Sequence, residues 1–117
     1  MAAKPGKPQF LLLLRQPPGP RPPPEFLDPI MVKFAAWMKG LQAKNLVIAT
    51  NGLETTGKVL RGSRGATVTD GPYPESKEIV GGYVLIAAAS EAEAIAVARD
   101  CPGLDHGMVV EVRPVAH

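Results

Sequence analysis

A chain of 117 residues is long enough to bury one hydrophobic core and too short to add a separate cofactor-binding domain. Its net charge of +2, with basic side chains scattered along the chain, argues against a nucleic-acid partner, and its single cysteine excludes an internal disulfide. No cysteines and histidines stand at zinc-binding spacing, so we expect no metal, no cofactor and a reducing, cytoplasmic location.

The N-terminal region combines a short tail with one apolar run. The run at residues 10–14 is too short for a signal-peptide core or a membrane span, so we expect no membrane contact. We expect residues 1–8 to form a mobile tail and residues 9–117 to form a single domain.

The first half of the chain predicts a strand, a stiff loop, a helix and a second strand. Residues 9–15 form a continuous apolar run, typical of a strand buried on both faces. Proline dominates residues 16–24, which favours an extended loop over a ligand for an aromatic groove. A helix follows from residue 25 or 28 to residue 43, with Asp28 before Pro29 as a candidate N-cap. Its apolar stripe is a core face, although Trp37 on that stripe is also a candidate pocket residue. Residues 45–49 predict the second strand.

The second half predicts a hairpin, a strand, a helix and a last strand. The hairpin comprises residues 57–61 and 66–69 around a turn at 62–65, and residues 82–87 form the next strand. Ser90 and Glu93 form a capping box that starts a helix ending near Cys101, and residues 108–112 form the last strand. The order predicts a ferredoxin-like α+β fold with an inserted β-hairpin and two helices on one face of an antiparallel sheet.

The strands are apolar on both alternations. Leu11 and Leu13 share one face of the first strand, and Leu12 and Leu14 share the other. Two helices can cover only one face of the sheet, so we expect a homodimer that joins the sheet faces of two chains.

Residues 67–83 carry a motif with more charge than a plain hairpin needs. The turn Asp70-Gly71-Pro72 is followed by Tyr73, Glu75, Lys77 and Glu78, and the segment closes with Gly81-Gly82-Tyr83. Together with Cys101-Pro102 and residues 110–115, this segment resembles the YCII-related family in its DGPF-motif branch. Tyr73 stands where that motif usually has phenylalanine.

This resemblance covers residues 9–115 and implies a dimeric α+β barrel of ferredoxin-like subunits. Such proteins are usually bacterial and cytoplasmic, and they are similar in architecture to muconolactone isomerases and other cofactor-independent small enzymes. Some members of the branch are linked to sigma factors.

The resemblance also brings a candidate catalytic dyad, which this chain lacks. In the YCII branch proper the dyad comprises a histidine on the first helix and an aspartate directly before the proline that follows the second helix. Here the first helix has no histidine, and Cys101 precedes Pro102, with Asp100 one position earlier. That dyad is therefore not transferred to this chain.

Two residues are candidates for catalysis. Asp70 could act as a general base if burial or a neighbouring carboxylate raised its pKa, or it could accept hydrogen bonds within its own turn. His106 could titrate near neutrality, or it could face solvent in its glycine-flanked loop.

Other polar residues are candidates for ligand binding. Tyr73, Glu75 and Lys77 form either a pocket wall or a solvated loop. Glu111 and Arg113 alternate on the last strand, so they share a face and need a partner there, either Lys77 or the second subunit.

Three functions are compatible with these features. The first is a dimeric small-molecule-binding protein with a pocket between helices and sheet. The second is a cofactor-independent enzyme with isomerase- or lyase-like acid–base chemistry at Asp70, helped by Glu75, Arg113 or His106. The third is an interaction module beside a sigma-factor-type transcription regulator. An enclosed pocket holding Asp70 would favour the enzyme, and a pocket filled by side chains would favour the interaction module.

Overall fold

The computed structural model describes residues 7–17, 22–72 and 78–116. Within these residues the strands are β1 (Gln9–Gln16), β2 (Val47–Gly52), β3 (Gly57–Arg61), β4 (Thr67–Gly71), β5 (Ile79–Ala87) and β6 (Val109–Pro114). The α-helices are α1 (Pro24–Ala43) and α2 (Glu91–Arg99), and two 3₁₀ helices span Ser63–Gly65 and Pro102–His106.

The strands form one main sheet and one separate hairpin. The main sheet has the order β2-β5-β1-β6, and each neighbouring pair is antiparallel. Strands β3 and β4 pair with each other between β2 and β5 in the sequence. This arrangement confirms the ferredoxin-like α+β fold with an inserted hairpin. The main sheet described for one chain is open, with β2 and β6 at its edges, so the barrel of the expected dimer would need a second copy.

The core lies between the helices and one face of the main sheet. On β1, the buried side chains of Phe10, Leu12 and Leu14 alternate with the half-buried side chains of Leu11 and Leu13. The buried cluster adds Leu41 of α1, Val84 and Ile86 of β5, Ala94, Val97 and Ala98 of α2, and Ala88 and Cys101, which lie just outside these elements. Both helices therefore cover the same sheet face, as predicted.

The opposite face of the main sheet, called here the open face, bears no helix among the described residues. Cross-strand register places on it the side chains of Ala49, Asn51, Tyr83, Leu85, Leu11, Leu13, Arg15, Val109, Glu111 and Arg113, among others. Its middle strands supply Leu11, Leu13 and Leu85, which are half-buried in the single chain.

The start of α1 corrects one prediction. The helix begins at Pro24, and the carbonyl of Pro23 accepts hydrogen bonds from the N–H groups of Phe26 and Leu27 at 3.0 and 3.1 Å. Asp28 and Pro29 lie inside the helix, so the prediction of Asp28 as N-cap is wrong. A proline at the first helical position needs no N–H partner, which allows the helix to begin directly after the proline-rich loop.

The start of α2 confirms the predicted capping box. Ser90 Oγ accepts a hydrogen bond from the Glu93 N–H at 3.2 Å, and Glu93 Oε1 accepts one from the Ala89 N–H at 2.9 Å. The helix ends at Arg99, slightly before the predicted end near Cys101. Within the described residues, neither helix combines the length and apolarity needed to cross a membrane.

Strand ends differ from the predictions where glycine or proline was read as a boundary. Gly81 and Gly82 lie within β5, and β6 continues to Pro114 at the edge of the sheet, where a missing N–H is tolerated. Residues 1–6 of the predicted tail lie outside the described residues. The carbonyl of Pro8 accepts a hydrogen bond from the Ala88 N–H at 3.0 Å.

Candidate functional site

A cavity of about 480 Å³ lies between the first half of α1 and the main sheet. Its apolar lining comprises Leu14, Pro22, Leu27, Ile30, Met31, Phe34, Leu53 and Met108, and its polar lining residues are Gln16, Thr50, Asn51, Glu54 and Thr55. Gly52, Gly81, Gly82 and Gly103 complete it. We call this space the α1 cavity.

The apolar stripe of α1 serves two purposes. In the second half of the helix, Leu41 is buried in the core and Trp37 and Met38 pack against it. At mid-helix Phe34 packs against the core and also lines the cavity, and in the first half the stripe continues through Ile30, which lines the cavity. The stripe is therefore longer than the core requires.

Two glycines of β5, Gly81 and Gly82, allow atoms of the neighbouring strands β1 and β2 to approach the β5 backbone closely beside this cavity. A Cβ at Gly82 would lie 3.0 Å from the carbonyl oxygen of Asn51 on β2, and a Cβ at Gly81 would lie 2.5 Å from Gln16 Oε1. The Gln16 amide therefore lies across Gly81, in space that any larger residue would fill.

The polar side chains of the cavity differ in how far they are already engaged. Thr50 Oγ1 donates to the Tyr83 carbonyl at 2.9 Å, whereas the Asn51 side chain points to the open face, where Nδ2 donates to the Tyr83 hydroxyl at 3.0 Å. The side chains of Gln16, Glu54 and Thr55 make no hydrogen bond to another described residue. Amide, carboxylate and hydroxyl groups are thus available to a bound molecule.

Asp70, the first catalytic candidate, lies on the hairpin. It pairs in register with Lys58, whose ammonium donates a hydrogen bond to its carboxylate, and 87% of its side chain is exposed. It does not line the α1 cavity. Its neighbours Gly71 and Pro72 line a smaller cavity of about 310 Å³, which shares Glu54 and Thr55 with the α1 cavity.

The other candidates are distributed around the molecule. Trp37 Nε1 donates to the Val97 carbonyl at 3.3 Å, and its ring packs edge-on against Phe34 with centroids 5.2 Å apart. Trp37 therefore bridges α1 and α2 and supports a cavity residue without lining the cavity. The exposed ring of His106 packs edge-on against Phe26, with centroids 6.0 Å apart.

Three ligand-binding candidates, Tyr73, Glu75 and Lys77, lie outside the described residues. Their roles stay predictions, and so does the pairing of Lys77 with Glu111. In the described parts of the chain, no group of three or more histidine, cysteine, aspartate or glutamate side chains could hold a metal ion.

Glu111 and Arg113 share the open face, as predicted, and Arg15 joins them. Arg15 Nε and Nη2 donate to Glu111 Oε1 at 2.9 and 2.6 Å, and Arg113 Nη1 donates to Glu111 Oε2 at 3.3 Å. The hydrogen bonds from Arg15 hold the pKa of Glu111 below its ordinary value, and the charges of both arginines act in the same direction.

We expect this cluster to make stability depend on pH in the acid range. A carboxylate whose pKa is lowered by folding stabilises the protein above its ordinary pKa of 4.5, and this contribution disappears as pH falls through the lower folded value. Urea denaturation should therefore show wild type more stable than Glu111→Gln at pH 7, with the difference shrinking below pH 4.5. The same pair of measurements in an Arg15→Gln background should show a weaker pH dependence. An equal difference at pH 3 and pH 7 would refute this assignment.

Comparison with protein families identifies the chain. A family model of the YCII-related domain matches residues 8–116. The chain belongs to the YCII-related family. A comparison with curated proteins finds no match.

The position of the family's candidate dyad holds no acid–base pair in this YCII-related chain. Cys101, directly before Pro102, is 2% exposed within the core, and burial raises the pKa of its thiol. Asp100 is exposed at the C-terminus of α2. The buried neutral thiol at this position fits packing, not proton transfer.

Sequence reasoning missed all the polar residues of the α1 cavity, and it missed Arg15 on the open face. Gln16, Glu54 and Thr55 lie at or next to strand ends. Polar residues are common at such positions, so their presence in the sequence does not indicate a binding site. Arg15 continues the alternation of Leu11 and Leu13, which was a usable signal for its face. Its contact with Glu111 required the register between β1 and β6.

Proposed function

We propose that this YCII-related protein binds a small molecule in the α1 cavity and acts as a homodimer. The observation that carries the proposal is a cavity of about 480 Å³ lined by half of an apolar helix stripe. Ligand pockets usually have volumes of roughly 300–1,000 Å³, with apolar walls and a few polar groups that orient the ligand. The unengaged side chains of Gln16, Glu54 and Thr55 fit that description.

The composition of the open face supports the homodimer. Its centre is apolar, formed by Leu11, Leu13 and Leu85. On the β6 side it is bordered by the Arg15–Glu111–Arg113 cluster, and on the β2 side by the hydrogen-bonded pair of Asn51 and Tyr83. An apolar centre within a polar rim is the usual composition of a protein interface.

The alternative functions have less support. The enzyme hypothesis needs Asp70 in an enclosed pocket, whereas its carboxylate pairs with Lys58 on the exposed hairpin. The interaction-module hypothesis needs the pocket to be filled, whereas the α1 cavity has room for a ligand.

We also assign the chain to the DGPF branch on its Asp70-Gly71-Pro72 turn, and we expect it in the bacterial cytoplasm.

Filling the α1 cavity should weaken binding. We expect Ile30→Trp to weaken binding of 2-phenylethanol, a small apolar probe, at least about tenfold, because the indole would occupy space that the probe needs. Chemical-shift titration of the ¹⁵N-labelled protein measures the dissociation constant and shows whether the amides of Gly81 and Gly82 respond.

Val32→Trp is the matched control. Val32 is a β-branched residue on the same helix, 70% exposed, and it does not line the cavity. This variant should bind the probe like wild type. Equal weakening in both variants, or shifts confined to residues outside the cavity, would count against the proposal.

A further inference from the structure

The α1 cavity has an uneven charge distribution. Among the described residues that line it, Glu54 is the ionisable one, and its carboxylate forms no salt bridge with another described residue. The remaining polar lining is neutral and consists of the amide of Gln16, the hydroxyls of Thr50 and Thr55 and the backbone of Asn51, whose side chain lies on the open face. The described lining thus offers a negative charge and no positive one.

The cationic side chains that the structure describes in the adjoining smaller cavity are already paired. Arg15 and Lys58 line the smaller cavity and not the α1 cavity. Arg15 is bound to Glu111 on the open face, and Lys58 is bound to Asp70 on the hairpin. Recruiting either one for a ligand would require breaking an existing ion pair.

From this charge distribution we infer that the α1 cavity takes a ligand with an apolar body and an amine or uncharged head group, and discriminates against carboxylates and phosphates. An anion entering the cavity would lose water without gaining a cationic partner among the described lining residues, and it would approach the Glu54 carboxylate. An ammonium group would gain an opposite charge, and a hydroxyl could bond to Gln16 or Thr55. The inference rests on the proposed function, because it names the ligand class of the same site.

The test uses three probes with the same phenyl body and different head groups. They are 2-phenylethylamine, which is cationic at pH 7, 2-phenylethanol, which is neutral, and 3-phenylpropionate, which is anionic. Titration of the ¹⁵N-labelled full chain at low ionic strength gives each dissociation constant. We expect the amine to bind more tightly than the propionate, with the alcohol between them. Because Glu54 is exposed and solvent weakens the interactions of its charge, the expected difference in dissociation constant is about tenfold.

Glu54→Gln tests the origin of this preference. The variant keeps the size of the side chain and removes its charge, so the amine–propionate ratio should fall to about twofold or less while binding of 2-phenylethanol stays unchanged. Glu78→Gln is the matched control, because Glu78 lines the smaller cavity and not the α1 cavity. Removing its charge should leave the amine–propionate ratio near the wild-type value.

The outcomes separate the inference from the proposed function. If none of the three probes shifts the cavity amides, both the proposed function and the inference are wrong. If the propionate binds as tightly as the amine, the cavity is a ligand site but the inferred ligand class is wrong. A preference for the amine that persists in Glu54→Gln also overturns the inference.

Discussion

Replacing Leu85 with glutamate is expected to convert the proposed dimer into a folded monomer. Leu85 lies on β5 in the middle of the open face, with Leu11 beside it on β1 and Ala49 on β2. In a symmetric face-to-face dimer each subunit would contribute one such carboxylate. Both carboxylates would be buried against apolar side chains of the interface. Burying an unpaired charge costs several kcal/mol, so the dissociation constant should rise at least about a hundredfold.

Sedimentation velocity at micromolar concentration measures this change directly. In a monomer the half-buried Leu85 position lets a glutamate reach water, so circular dichroism should show a retained fold. Leu60→Glu is the matched control, because Leu60 is 61% exposed on the hairpin and lies outside the main sheet. A wild-type protein that sediments as a monomer, or a Leu85→Glu variant that remains a dimer, would disprove the proposed interface.

The sequence was sufficient for the parts of the fold that depend on local pattern. The alternation of Leu11 to Leu14 predicted a strand with two apolar faces, and the structure buries Leu12 and Leu14 under the helices. Ser90 and Glu93 predicted a helix start because their hydrogen bonds close within a few residues. Such signals need no knowledge of distant parts of the chain.

The candidate site depended on distant contacts, which the sequence does not encode locally. Glu111 was assigned to a shared face with Arg113, but its main partner Arg15 comes from the other end of the chain through the β1–β6 register. Asp70 drew attention through its motif, and its surroundings depend on pairing with Lys58 across the hairpin. A motif is visible in the sequence itself. The environment of a motif residue depends on the register in which its strand pairs with another, which the sequence does not show locally.

The same limit applies to the apolar stripe of α1. Periodicity predicts which face of the helix is apolar, but it does not distinguish the part that packs in the core from the part that lines a cavity. That division depends on where the pairing of β2 with β5 ends, at Gly52 and Gly82, both of which line the cavity. We therefore expect the two halves of the stripe to differ in their energetic contribution.

Alanine substitutions at Leu41 and Ile30 should reveal this difference. Leu41 is 7% exposed within the core cluster, so Leu41→Ala should lower the free energy of unfolding by about 2–5 kcal/mol. Ile30 faces the α1 cavity, where part of its side chain has no packing partner to lose, and alanine has the higher helix propensity. Ile30→Ala should therefore lose less than half as much stability in urea denaturation.

The two variants should rank in the opposite order when ligand binding is measured instead of stability. Ile30→Ala removes apolar wall from the cavity and should weaken binding of 2-phenylethanol, whereas Leu41→Ala should leave binding intact at temperatures where it is folded. Losses of stability that are equal at the two positions would mean that Ile30 belongs to the core. A cavity that serves binding instead keeps its wall residues outside the stabilising core, so that a ligand can contact side chains which folding does not need.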